Sequence, residues 1–200
     1  MLRLTDILNE VKSKPALINL FKNNDILDNG KLKNLLIHYI ESPSLLSQTE
    51  FENLVNGLNK VKSKYADVLQ PKSGWAYRGT AITPEIYKKI KTGDTTTSGG
   101  YTIIKAPYKS NRNVQSWTYD KNVADRFATK GMFNNPTLEQ GGKPAIVRTK
   151  IDDSFVGNPN LTGPISNRLS IKNEKEIFHI GQTVENCEWM IATNDIQKLK

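Results

Sequence analysis

Cysteine is nearly absent from these 200 residues, with Cys187 standing alone. One thiol excludes an internal disulfide framework and any Cys-rich zinc site. Histidine is almost as scarce. His38 and His179 are the only two, so a His-based metal centre is not expected, and no metal is. No run approaches the roughly 18 apolar residues that a membrane helix needs. The opening stretch, MLRLTDILNEVKSK, carries no signal-peptide h-region and turns charged at once. The expectation is a cytoplasmic protein with no membrane partner. Acidic residues are also outnumbered, 20 against 28 Lys and Arg, which leaves a net charge of +8. A basic surface favours anionic partners such as nucleic acid, a ribonucleoprotein or a phosphate-bearing cofactor. Solubility explains it equally well. The lysines form no block longer than two, so no dedicated nucleic-acid arm is visible.

What the chain does contain is patterning. Hydrophobic residues make up 37% and charged residues 24%, a balance that suits one substantial core with a helical annex. Residues 1–70 read as a helical region and 71–200 as a β-rich core, together one compact unit and a monomer. Within LLSQTEFENLVNGLNKVKSKYADVL, Ser47 and Glu50 fit a capping box, and Leu46 with Phe51 fits the accompanying hydrophobic staple. Phe51, Leu54, Leu58, Val61, Tyr65 and Val68 then recur at spacings of three and four, one apolar stripe of a helix. KLKNLLIHYIES is a second helix, and LTDILNEVKS and PALINLFKN are two shorter ones. His38 lies among Leu35, Leu36, Ile37 and Ile40, which predicts a core or half-buried structural histidine.

QPKSG, Gln70 to Gly74, marks a change of regime. After it, short apolar runs alternate with turn residues. WAYR, YTIIKA, VQSWT, PAIVRTKI, KEIFHI and CEWMIAT are the expected strands. Two helices interrupt them. TPEIYKKI has Thr83 as N-cap and Pro84 at its first position; DKNVADRFA has Asp120 as N-cap and Val123, Ala124, Phe127 and Ala128 on one face. FNNPTLEQGGKP and VGNPNLTGPISNR are long turn-rich loops, a kind often tied to function.

Three separated pieces carry chemistry. WAYRGT ends a short aromatic strand on Arg78 and Gly79. QSWTYDKNVADRFA carries Ser116 and Thr118 ahead of a helix. NEKEIFHI holds Glu174 and Glu176 one residue apart. An arginine, a strand Ser-x-Thr and a Glu-x-Glu, in that order, resemble the Arg-Ser-Glu class of mono-ADP-ribosyltransferases, the class of C3-type and binary toxins and of phage-encoded enzymes. The resemblance spans Trp75 to about Thr193 and is nearest in character to the phage-type cytoplasmic members. It implies an α+β fold in which the helical N-terminal region packs on a two-sheet β-sandwich core, with NAD in the cleft between the sheets. It implies NAD as substrate and nicotinamide as leaving group.

The same resemblance assigns the residues. Glu176 would be the catalytic carboxylate, hydrogen-bonded to the 2′-hydroxyl of the nicotinamide ribose and stabilising the oxocarbenium-like sugar. Glu174 would orient or deprotonate the acceptor. A carboxylate there goes with arginine acceptors, because a guanidinium matches it bidentately. Residues two apart on a strand share a face, so both can line one cleft. Arg78 would bind the NAD diphosphate or its neighbouring ribose, since a planar, permanently charged fork suits phosphate. Gly79 would let the backbone approach the cofactor. Ser116 would orient Glu176 and support the ribose, and Thr118 would buttress the same strand. The family usually reads Ser-Thr-Ser where this chain reads Ser116-Trp117-Thr118, so Trp117 is expected on the opposite face, in the core. Phe133 is the candidate to stack on nicotinamide. Tyr77 fits either cleft or core. His179 has parity opposite to Glu176 and is not expected to be catalytic.

The implied activity is transfer of ADP-ribose to a host macromolecule, foremost a protein arginine, in the host cytoplasm for a phage-encoded enzyme. Transcription or translation proteins are plausible acceptors, and RNA is a further one. Two other readings stay open at this point: an NAD glycohydrolase, with water replacing the acceptor, and a non-catalytic basic module that holds RNA or a ribonucleoprotein.

Overall fold

The computed structural model describes residues 31–41, 46–64, 71, 73–129, 138, 141–157 and 176–200. The chain divides into two compact units, Met1–Pro71 with Val156–Asn173, and Lys72–Phe155 with Glu174–Lys200.

In the first unit, helix α1 spans Lys31–Glu41 and helix α2 Gln48–Lys64. The capping box opens α2 as its residue types dictate. The Glu50 amide donates to Ser47 Oγ at 3.3 Å and the Ser47 amide donates to Glu50 Oε2 at 2.8 Å. Accepting from the Ser47 amide first, and from the Ser47 hydroxyl at 2.8 Å as well, holds the Glu50 carboxyl below its ordinary range. Leu54 and Leu58 are buried along the α2 stripe, and Phe51 meets Tyr39 of α1 edge-on at 6.1 Å. The expectation for His38 fails, because the residue is exposed. On α1 the inward stripe is Leu32, Leu35 and Tyr39, spaced by three and four. That spacing turns position 38 outward. Tyr65 and Val68 of the expected stripe lie outside the described residues, as do the two shorter helices expected before residue 31.

The second unit is built on a sheet of eight strands. In chain order these are β1 (Trp75–Ile82), β2 (Thr95–Ser98), β3 (Tyr101–Lys105), β5 (Val114–Thr118), β6 (Lys143–Lys150), β7 (Phe155–Val156), β8 (Glu176–Ile180) and β10 (Glu188–Ala192). Two short strands, β4 (Tyr108–Lys109) and β9 (Thr183–Val184), form a separate ribbon. The order across the large sheet is β2-β3-β10-β6-β1-β5-β8-β7, mostly antiparallel. Three helices accompany it: α3 (Pro84–Ile90), α4 (Lys121–Thr129) and α5 (Thr193–Ile196). The class is therefore α+β. Where two sheets of a sandwich were expected, the described strands form one broad sheet and a two-stranded ribbon.

All six expected strands and both expected inner helices are present. The strands that were not expected share a physical reason. β4, β7 and β9 are two residues long, too short for any alternation to register. All four residues of β2, Thr95–Ser98, are exposed, so no apolar period marks it. Its turn does carry a signal. Gly99 and Gly100 both have positive φ, 56° and 80°, between the paired Ser98 and Tyr101, the geometry that a two-residue hairpin loop demands. Thr83 caps α3 as expected, accepting from the Ile86 amide at 3.3 Å, an interaction worth about 1 kcal/mol.

Directly opposed residues in an antiparallel pair share a face, and neighbours along a strand alternate. The register thus sorts the sheet into two sides. One side carries Ala76, Ile82, Ile104, Trp117, Ala145, Val147, Ile177, Trp189 and Ile191, packed with Phe155, Tyr108 and Cys187 into the main core. The other side carries Ile146 and Met190 under Ala124 and Ala128 of α4, with Tyr77, Tyr101 and Ile103 packed against them. No helix among the described residues is long and apolar enough to cross a membrane.

Candidate functional site

The three chemistry-bearing pieces, remote in sequence, fall on three consecutive strands: Arg78 and Gly79 on β1, Ser116 and Thr118 on β5, Glu176 on β8. The register ties them together. Tyr77 stands opposite Thr118, Thr118 opposite Glu176, and Ser116 opposite Phe178. Ser116, Thr118 and Glu176 therefore share one face of the sheet, with Ser116 diagonal to Glu176. Diagonal neighbours lie within the span of a long side chain. Glu176 is half-buried, as the first residue of its strand. On β5, Ser116 alone is half-buried between four buried residues, so it is the one position where that strand comes near the surface.

Alternation assigns Arg78 to the other face, one residue out of phase with Tyr77. Its head nevertheless ends near β5. β1 pairs with β6 along its whole length but with β5 at a single position, Tyr77–Thr118. Beyond that pair the strands part, and the Arg78 guanidinium bridges the opening. Nη1 donates to the Ser116 carbonyl oxygen, and Nε donates to the Tyr108 phenol oxygen at 2.9 Å. The carbon of the guanidinium also lies 5.6 Å from the centre of the Tyr108 ring. A permanent cation thus sits half-buried between the serine strand and an aromatic wall.

Gly79 is where a close backbone approach occurs, and the partner is α4. A Cβ added there would run into the Ala124 carbonyl oxygen and lie 2.6 Å from the Ala128 amide nitrogen and 2.8 Å from Phe127 Cβ. The glycine lets a helix, rather than a bound molecule, lie against β1. Phe127 is half-buried at that contact, while Val123, Ala124 and Ala128 are fully buried. Thr118 also serves α4. Its Oγ1 accepts from the Asp120 amide at 3.1 Å, and Asp120 Oδ1 accepts from the Asn122 amide at 2.9 Å. These two bonds carry the chain from the end of β5 into the first turn of the helix. Tyr77 takes the α4 side, packed on the small cluster there.

Trp117 points into the main core, 2% exposed, with Tyr108 and Phe155 edge-on at 5.7 and 5.8 Å. The core thus grips the middle of β5 from behind, while Ser116 and Thr118 face the other way. His179 is buried against Phe155 on the core side, opposite in parity to Glu176. Glu174 and Phe133 lie outside the described residues, as do residues 158–175 ahead of Glu176. One participant went unnoticed in the sequence. Tyr108 sits in KAPYKS, thirty residues from Arg78, with no local pattern that links the two.

Set against protein-family models, curated proteins and solved structures, the chain has no significant match.

Proposed function

We propose that this chain is an NAD-dependent mono-ADP-ribosyltransferase that acts on a protein arginine. The observation that carries the reading is the convergence of three sequence-remote motifs on adjoining strands. The arginine head is bonded to the backbone of the serine position, and the Ser-x-Thr strand is in register with the glutamate. Chance placement of an Arg, a Ser-x-Thr and a Glu over more than a hundred residues does not require them to be neighbours.

In this reading the dinucleotide lies along the opening between β1 and β5. Arg78 meets the diphosphate, and Glu176 meets the nicotinamide ribose. The bond between the ribose C1′ and the nicotinamide nitrogen breaks, and its electron pair leaves with nicotinamide. The carboxylate of Glu176 stabilises the cationic sugar, and Ser116 holds that carboxylate in line. An acceptor guanidinium nitrogen then bonds to C1′ and loses its proton, the step given to Glu174. The two-sheet cleft of the transferase fold belongs to this proposal as well, with the large sheet and its open seam as the part that supports it. Acceptors in the transcription or translation machinery, or RNA, suit the net charge of +8.

Incubation with adenylate-labelled NAD and a bacterial lysate tests the reading. Label should enter protein, and Glu176→Gln should lower nicotinamide release by roughly two to three orders of magnitude. Undiminished NAD consumption by that variant ends the assignment. Release of free ADP-ribose with no labelled macromolecule would make the protein a glycohydrolase instead.

A further inference from the structure

The Arg78 fork is held by something that the motifs do not contain. An arginine side chain has about 2 kcal/mol of rotamer entropy to lose on being fixed, so a head that binds an anion well must be oriented in advance. Two of its nitrogens are tied here, to two different elements: Nη1 to the Ser116 carbonyl and Nε to Tyr108 Oη at 2.9 Å. The first tie is backbone and cannot be varied by mutation. The second is a single phenol oxygen.

Tyr108 is built to be rigid. It is 8% exposed, and its ring meets Trp117 edge-on at 5.7 Å and Trp189 at 5.6 Å. Its backbone pairs with Val184 in the β4–β9 ribbon. A side chain clamped by two tryptophans and a strand pair has little freedom left. Whatever it bonds to inherits that order. The geometry points to Tyr108 as a positioning residue: its phenol oxygen aims the Arg78 guanidinium for a diphosphate while the ring stays in the core. The inference rests on the proposed role of Arg78 as the diphosphate contact. It extends that role to a residue that touches neither the sugar nor the acceptor.

Tyr108→Phe keeps the ring and removes the acceptor oxygen. ADP is the probe for the diphosphate, measured by calorimetry, with NAD turnover alongside. The variant should bind ADP about tenfold more weakly, the scale of one hydrogen bond to a charged group. KM for NAD should rise by the same factor, with kcat within about twofold, because the bond orients ground state and transition state alike. Ile196→Ala is the control, since it removes a buried side chain of α5 that neither bonds the phenol nor pairs with Tyr108. It should lower the melting temperature yet leave ADP affinity unchanged. Equal ADP affinity in wild type and Tyr108→Phe overturns the inference, and so does an equal loss in Ile196→Ala. Wild-type protein that fails to bind ADP at all also overturns it. A wild type that binds ADP in a Tyr108-dependent way but consumes no NAD leaves Tyr108 in its place and removes the transferase reading alone.

Discussion

Gly79→Ala separates two roles for one glycine. If the position exists so that NAD can approach the backbone, an added methyl should hinder the dinucleotide and leave the fold alone. The geometry assigns the space to α4 instead. The new Cβ would stand 2.6 Å from the Ala128 amide nitrogen and 2.8 Å from Phe127 Cβ, and closer still to the Ala124 carbonyl oxygen. Ordinary contact begins near 3.4 Å, so the helix must retreat by more than an ångström from the Ala124 carbonyl oxygen. The obstructing atoms are mostly helix backbone, which cannot swing aside as a side chain does. Retreat opens the contact of Ala124 and Ala128 with Ile146 and Met190. Overpacking typically costs 1–3 kcal/mol, and a backbone obstruction belongs at the upper end, about 3 kcal/mol. For a chain of this size that is a fall of roughly 6–12 °C in melting temperature. Thermal unfolding followed by circular dichroism, with and without NAD, measures it. A melting temperature unchanged from wild type, together with a raised KM for NAD, would refute the packing argument and return Gly79 to the cofactor.

Two further outcomes follow from the same packing. Cys187 is fully buried, and burial pushes its thiol up to about 12 from an ordinary 9.0; its Sγ donates to the Val184 carbonyl oxygen at 3.3 Å. Between those two values the unfolded thiol has lost its proton and the folded one has not. Stability is therefore whole below pH 9 and falls as pH climbs toward 12, by about 1.4 kcal/mol per pH unit. Denaturant titrations of wild type and Cys187→Ala across that range should differ in slope, and a thiol reagent at pH 8 should label the protein only on unfolding. Fast labelling of the native protein contradicts the burial. Thr118→Val keeps the shape and removes the acceptor for the Asp120 amide. The loss of one such bond costs about 1 kcal/mol, or roughly 2–4 °C in a thermal melt, and a melt indistinguishable from wild type would show that the turn into α4 does not depend on it.

How much of this was legible in the sequence varied with the range of the interaction. Caps were read correctly because both partners sit within four residues: Ser47 with Glu50, Thr83 with Ile86, Asp120 with Asn122. Strands with a buried face were legible as short apolar runs, and Trp117 could be sent to the core by parity alone. His38 was misjudged because burial on a helix follows the angle to the inward stripe of Leu32, Leu35 and Tyr39 and not the number of apolar neighbours in sequence. β2 escaped because an exposed strand of Thr and Ser buries nothing. Gly79 was assigned to a ligand because a glycine after a strand says only that something approaches; the identity of the visitor, α4, is tertiary. Tyr108 was invisible for the same reason. Its bond to Arg78 crosses thirty residues and belongs to no repeating pattern.

The opening between β1 and β5 raises a question of cost that bears on how any variant of the site is interpreted. Interior strands that part expose backbone groups, and buried ones must find partners. The Ser116 carbonyl has one in the Arg78 guanidinium. Arg78 therefore has a structural task, closing the ladder where the strands separate, besides the anion-binding task proposed for it. Removing it would strand that carbonyl at about 1–3 kcal/mol and shift β5, which also carries Ser116 and Thr118. An inactive Arg78 variant would then be explained equally by a lost diphosphate contact and by a displaced serine strand. Glu176 and the Tyr108 phenol give cleaner tests. Glu176→Gln keeps the shape and removes only the charge, and Tyr108→Phe leaves the guanidinium bonded to Ser116. Where one side chain both supports the sheet and holds the substrate, the informative substitutions are at its neighbours.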